Sequence, residues 1–216
     1  MYTLRCTRKL LKRLSERPTS EAIAPTTTLG DWYANLLYTR PQQLVMAMSE
    51  RSLLCVLVPA KATALPFEAR LRSAVAELLL AIGVPDIVVA DEVAAMSEHR
   101  VGATASRSVL GCMNDATYQL EGHLAAGLIG RDGAPLASPS LLDLELHLAQ
   151  NIYSVTGYAL PWRRTLELFG CSVDENRRHP GRPGPRGTVH RGEWRAKAQV
   201  SPTYLAPLRS CLAAGM

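Results

Sequence analysis

Between Trp32 and Val58 three apolar runs follow one another with only a few polar residues between them: Trp32 to Tyr38, Leu44 to Met48 and Leu53 to Val58, separated by Thr39-Arg40-Pro41 and Glu50-Arg51-Ser52. Parallel neighbours need a crossover of about a dozen residues or more, so connections this short restrict the segment to an antiparallel meander. Helical patterning surrounds it. Pro66 suits the first turn of a helix in which Phe67, Leu71, Val75, Leu78 and Ile82 recur at helical spacing, and Gly83 is placed to end it. That helix is expected to cover one face of the sheet.

The remaining segments read in the same way. Tyr2 to Cys6 alternates as a short strand, and Thr7 can cap a helix over Lys9 to Leu14. Pro85 can start a helix through Met96, and His99 to Thr104 is a candidate strand. Ser106 or Ser108 can cap a helix with Val109, Met113, Thr117, Leu120 and Leu124 in one stripe, leaving Gly111, Asn114, Asp115, Tyr118 and Glu121 on other faces. Gly127 to Pro139 reads as a loop. A helix over Ser140 to Ile152 presents Leu141, Leu144, Leu148 and Ile152 inward, and a short one over Trp162 to Phe169 ends at Gly170. The fold class predicted is α+β, an antiparallel meander sheet packed with several helices in a single domain over residues 1–171.

Periodicity stops after Cys171. The segment 172–216 contains RRHPGRPGPRG, in which Pro and Gly exclude regular structure, and it is expected to be a disordered basic tail. Charge supports the division: from Asp174 onward there are eight Lys or Arg against three Asp or Glu, whereas the preceding 173 residues carry 16 of each. The net +5 is thus a property of the tail, with a second local excess in residues 1–17.

Several function classes lose their usual support. The longest apolar stretch, Ser73 to Pro85, is broken by Glu77 and falls short of the roughly 18 residues of a membrane span. The opening MYTLRCTRKLLKRL lacks the apolar core of a secretory signal. A soluble, cytoplasmic protein without membrane contact is expected. The five cysteines are odd in number and widely spaced, which reads as reduced thiols rather than disulfides or a zinc site. There is no G-x-x-x-x-G-K-[ST], H-E-x-x-H or G-x-S-x-G, and Gly127, Gly130 and Gly133 read as a surface turn. His99, His123 and His147 are isolated from one another in sequence, so no metal and no cofactor are expected. Cys112 beside Met113 reads as a small buried hydrophobe. Arg8, Lys9, Lys12 and Arg13 could contact phosphates, but they equally form a solvated helix face, and no aromatic interleaving supports base stacking.

The polar candidates fall in two blocks, LGDWYANLL from Leu29 and RSVLGCMND from Arg107. Asp31, Arg107, Asn114 and Asp115 could line a pocket for a polar ligand, since a carboxylate pair with a guanidinium and an amide can bind or exchange protons with one. They equally suit structural ion pairs and loop contacts. With TLRCTRKLLKRL and SERSLLCVLVPA, these blocks resemble a bacterial family defined as a domain of unknown function, over about Tyr2 to Phe169. Members of that family tend to read K-T-x-N-R-S-V-L-G-S-M-N-D-F in the second block. Arg107, Asn114 and Asp115 match, whereas Ala103, Ser106, Cys112 and Ala116 depart from it. The resemblance implies no activity, and the tail, which is unlike the family, also suits a shifted or extended reading frame. The expectation is a non-enzymatic binding or regulatory domain acting through an open sheet edge or the surface around Asp31 and Arg107, with a protein as one candidate partner and the partner otherwise open. The alternatives are an enzyme of small polar or phosphorylated substrates and a nucleic-acid-binding protein.

Overall fold

A computed structural model describes residues 1–19, 23–40, 42–61, 64–126, 128–129, 135–136 and 139–172, all within one compact unit, Met1–Arg182. The predicted disordered tail lies outside the described residues from 173 onward, as do Gly127, Gly130 and Gly133.

The meander forms as the short connections require. Strands β2 (Trp32–Leu37), β3 (Leu44–Ser49) and β4 (Cys55–Pro59) pair antiparallel, with Trp32 across from Ser49 and Met48 across from Cys55. The whole sheet is mixed, however, and this corrects the purely antiparallel expectation. β1 (Tyr2–Cys6) lies between β2 and β5 (His99–Ala103) and runs parallel to both, giving the order β4-β3-β2-β1-β5. The long connection from Thr7 to Asp31, which carries helix α1 (Arg8–Leu14), supplies the crossover that a parallel neighbour needs. Thr7 does not cap α1 through its side chain; its hydroxyl donates to Asn35 Oδ1 (2.9 Å) on β2 and ties the crossover to the sheet.

The central strands are buried on both faces, so alternate residues enter different cores. Trp32, Ala34, Leu36, Val45, Ala47, Val56 and Val58 face one core, together with α2 (Phe67–Ile82), α1 and α6 (Pro161–Leu168). Helix α3 (Asp86–Ala95) adds Val89 to it. Tyr33, Leu37, Met46, Met48, Cys55 and Leu57 face a second core closed by α4 (Arg107–Ala126) and α5 (Leu141–Leu148). The architecture is a helix–sheet–helix sandwich, with β6 (Leu128–Ile129) and β7 (Pro135–Leu136) forming a small antiparallel pair between α4 and α5 in the chain. Two ends fall short of expectation: Leu124 and Ile152, predicted to be inward, are exposed. Among the described residues no helix is long and apolar enough to cross a membrane.

Both sheet edges are engaged, which departs from the open edge expected as a binding surface. At β5 the Thr19 N–H donates to Val101 C=O (2.8 Å), an isolated parallel bridge. At β4 the outward Leu57 N–H donates to Glu145 Oε1 (2.6 Å), so α5 covers the edge through a carboxyl group that is itself buried. Burial raises Glu145 well above the usual carboxylate range, outweighing the Leu57 N–H, which favours the charged form. The folded protein then holds a proton that the unfolded chain releases, so stability is full below the usual carboxylate pKa and falls as pH rises toward the folded value. Glu145→Gln, which keeps the acceptor and cannot ionise, should match the native chain in urea denaturation near about pH 4 and exceed it near about pH 8. Glu145→Ala should cost about 1–3 kcal/mol at either pH by leaving the Leu57 N–H unsatisfied; equal stability of all three proteins would sink this assignment.

Candidate functional site

The first block is built around a tight turn. Gly30 adopts φ +77°, and a Cβ there would lie 2.9 Å from Arg51 Cγ, so glycine is required on both counts. Glu92, buried on α3, accepts from the Thr28 N–H (2.7 Å) and Leu29 N–H (3.1 Å) and holds the turn against the helix layer. Asp31 follows, 2% exposed. Its carboxylate accepts from the Thr3 N–H (2.9 Å) and from Arg5 Nε (2.9 Å) and Nη2 (2.8 Å), a fork that binds β2 to β1. The Arg5 guanidinium lies 5.9 Å from the centre of the Tyr33 ring. The Tyr33 hydroxyl, pushed up in pKa by its burial, accepts from the Ser106 N–H (3.1 Å) just before α4. The two sequence blocks therefore meet in space, through Tyr33 and Ser106 rather than through Asp31 and Arg107.

The second block opens α4. Ser106 Oγ accepts from the Val109 N–H (3.3 Å) and caps it. Val109, Cys112, Met113, Ala116 and Leu120 are buried, which turns Arg107, Ser108, Gly111, Asn114, Asp115 and Tyr118 outward. Beside this outward face lies an open depression of about 400 Å³. Ser108, Gly111, Cys112 and Asp115 form one wall, and the segment from Ile152 to Tyr158, with its 3₁₀ turn at Ser154–Thr156, forms the other. Tyr153, buried and raised in pKa by that burial, accepts from Asn151 Nδ2 (3.1 Å) at its base. Burial, then the neighbouring Asp115 charge, pushes the Cys112 thiol up, which keeps it protonated and poorly nucleophilic.

Of the predicted set, Arg107, Asn114 and Asp115 share the exposed face of α4, and Asp115 alone lines the depression. Asp31 is committed to Arg5 and Thr3. The sequence carried one signal of this: Arg5 is the single charge in the short strand Tyr2–Cys6 and needs a partner there. Glu145, between Leu144 and Leu146, gave the same kind of signal, whereas Glu92 beside Asp91 did not.

The histidines are less separate than their spacing suggests. Packing of α4 on α5 brings the His123 and His147 rings to 5.5 Å between centres, edge to face, and His147 Nδ1 lies 3.0 Å from Asp143 C=O. His99 Nε2 lies 3.6 Å from Glu68 Oε1. Among the described residues no group of three or more His, Cys, Asp or Glu side chains could hold a metal ion.

A family model described as a domain of unknown function (DUF6933) matches residues 3–164, from β1 into α6. No curated protein and no solved structure matches the chain.

Removing Asp31 leaves Arg5 and the Thr3 N–H without their acceptor, so Asp31→Ala should destabilise the domain by about 3 kcal/mol. Asp115→Ala and Arg107→Ala, on the solvent face, should stay within about 0.5 kcal/mol of the native chain. Urea denaturation of the three variants checks the contrast, and an Asp31→Ala protein as stable as the others would refute the structural role of that carboxylate.

Proposed function

The chain belongs to the DUF6933 family, and from that membership, which carries no activity, we propose that it is a binding domain whose recognition surface is the exposed face of α4 with the adjoining depression. Gly111 carries the reading. A glycine inside a helix costs about 1 kcal/mol relative to alanine, yet a Cβ at Gly111 would meet nothing within 4 Å. The domain's own packing requires glycine neither there nor at Gly122, but of the two only Gly111 borders the depression. A close approach by another molecule is the physical use of such a position.

The surroundings suit a polypeptide. Tyr118 and Tyr158 are 79% and 72% exposed, and Ile152 and Val155 also stand in solvent, an apolar grouping of the kind that marks association surfaces. The depression is open, unlike the enclosing pockets that hold small ligands. Asp115 in its wall disfavours nucleic acid, and the protonated Cys112 thiol disfavours nucleophilic chemistry. In this reading Asp31 acts from a distance, holding Arg5 and Tyr33 in the contacts that lead to the start of α4. The buried thiols of Cys6, Cys55 and Cys112, lying unpaired, fit a reducing cytoplasmic setting.

Gly111→Ala should raise stability by about 0.5–1 kcal/mol in urea denaturation, because the helix gains propensity and nothing is displaced. Gly111→Leu should remove proteins captured from a cell lysate by the native chain, while Gly122→Leu, three turns further along α4 and outside the depression, should retain them. Identical capture by all three baits would refute the surface.

A further inference from the structure

Four outward residues in the first turns of α4 are arranged symmetrically about Gly111. Arg107 lies four positions before it and Asp115 four after; Ser108 lies three before and Asn114 three after. All of these side chains are exposed, and neither Arg107 nor Asp115 takes part in an ion pair among the described residues. A two-fold axis through residue 111 sets each residue before the glycine across from its counterpart after it on a second copy. At these positions the resulting contacts are complementary: guanidinium against carboxylate at both ends, hydroxyl against amide inside them, and glycine against glycine at the crossing; Tyr118, seven after the glycine, reaches past the start of the other helix.

We propose that α4 pairs antiparallel with α4 of a second copy of this chain, about a two-fold axis at Gly111. The inference rests on the reading of this face given above and names its partner. At about 1.5 Å rise per residue, the charged pairs fall about 6 Å to either side of the axis, within reach of an arginine side chain. The glycines allow the helices to approach at least as closely as the usual interaxial distance of about 8–10 Å. A parallel arrangement is disfavoured because it sets Arg107 against Arg107 and Asp115 against Asp115. The contact is isologous and closes on itself, giving a dimer rather than a filament. Tyr118, and the apolar side chains of Ile152, Val155 and Tyr158 in the far wall of the depression, flank the paired helices and supply the area that the helix face lacks. One helix face with its flanks lies at the small end of specific interfaces, so the dimer forms with concentration rather than permanently.

Sedimentation equilibrium of the full chain across a concentration series tests the pairing. The native protein should show a monomer–dimer equilibrium. Arg107→Glu and Asp115→Arg should each weaken it at least about tenfold by placing like charges at both ends. The double variant R107E/D115R should restore it, because the swap recreates both pairs, and Gly111→Leu should abolish it. A native chain that stays monomeric throughout, or charge variants without loss and rescue, overturns the proposal. If the chain is monomeric while Gly111→Leu still strips captured proteins, only the self-pairing fails. If Gly111→Leu alters neither self-association nor capture, the α4 surface itself fails as a recognition face.

Discussion

The meander β2–β4 is largely apolar on both faces, and most of the architecture follows from that. Along β2, Trp32, Ala34 and Leu36 point to one side while Tyr33 and Leu37 point to the other; β3 and β4 repeat the pattern. Neither side can be left to water, so helices are required on both. The larger layer, with α2 at its centre, seals one side, and α4 with α5 seals the other. The depression lies at a margin of the second layer, between α4 and the segment that follows α5.

A core apolar on both sides leaves backbone donors at its edges and turns with no water to bond to. Three buried carboxyl groups meet that need. Asp31 takes the Thr3 N–H, Glu92 takes those of Thr28 and Leu29, and Glu145 takes that of Leu57. Each lies far in sequence from the group it satisfies, so each also fixes how one element sits on another. Burying a carboxyl group is costly unless it is hydrogen-bonded, and these bonds make the cost tolerable while selecting one arrangement of the layers. Asp31 goes furthest, since its arginine partner touches Tyr33, and Tyr33 reaches the start of α4. These groups are consumed by the scaffold, whereas Arg107, Asn114 and Asp115 on α4 stand exposed.

Much of this was open to reading before the fold was known. The short connections between Trp32 and Val58 dictated the meander, and the helices from Phe67, Asp86, Leu141 and Pro161 sit within a few residues of the periodic segments. That Asn114 and Asp115 stand away from Val109, Met113 and Leu120 followed from helical spacing alone. Of the candidate site, Arg107, Asn114 and Asp115 fall on the solvent side of α4 because their spacing keeps them off the stripe of Val109, Met113 and Leu120. The readings that depended on distance along the chain fared differently. Asp31 joined the predicted set, yet its carboxylate belongs to Arg5, and His123 with His147 came together only because α4 packs on α5.

The division has a physical cause. Periodicity, turn chemistry and capping depend on backbone geometry within a few residues, so the sequence by itself determined most strands and helices and their apolar faces, but not the short pair β6 and β7, which lies in a segment that reads as a loop. The parallel placement of β1 between β2 and β5, the partner of each buried carboxyl group and the opening beside Gly111 depend on contacts between segments dozens of residues apart. Those contacts are selected by how all the apolar faces can be buried at once, and no local stretch of sequence contains that choice.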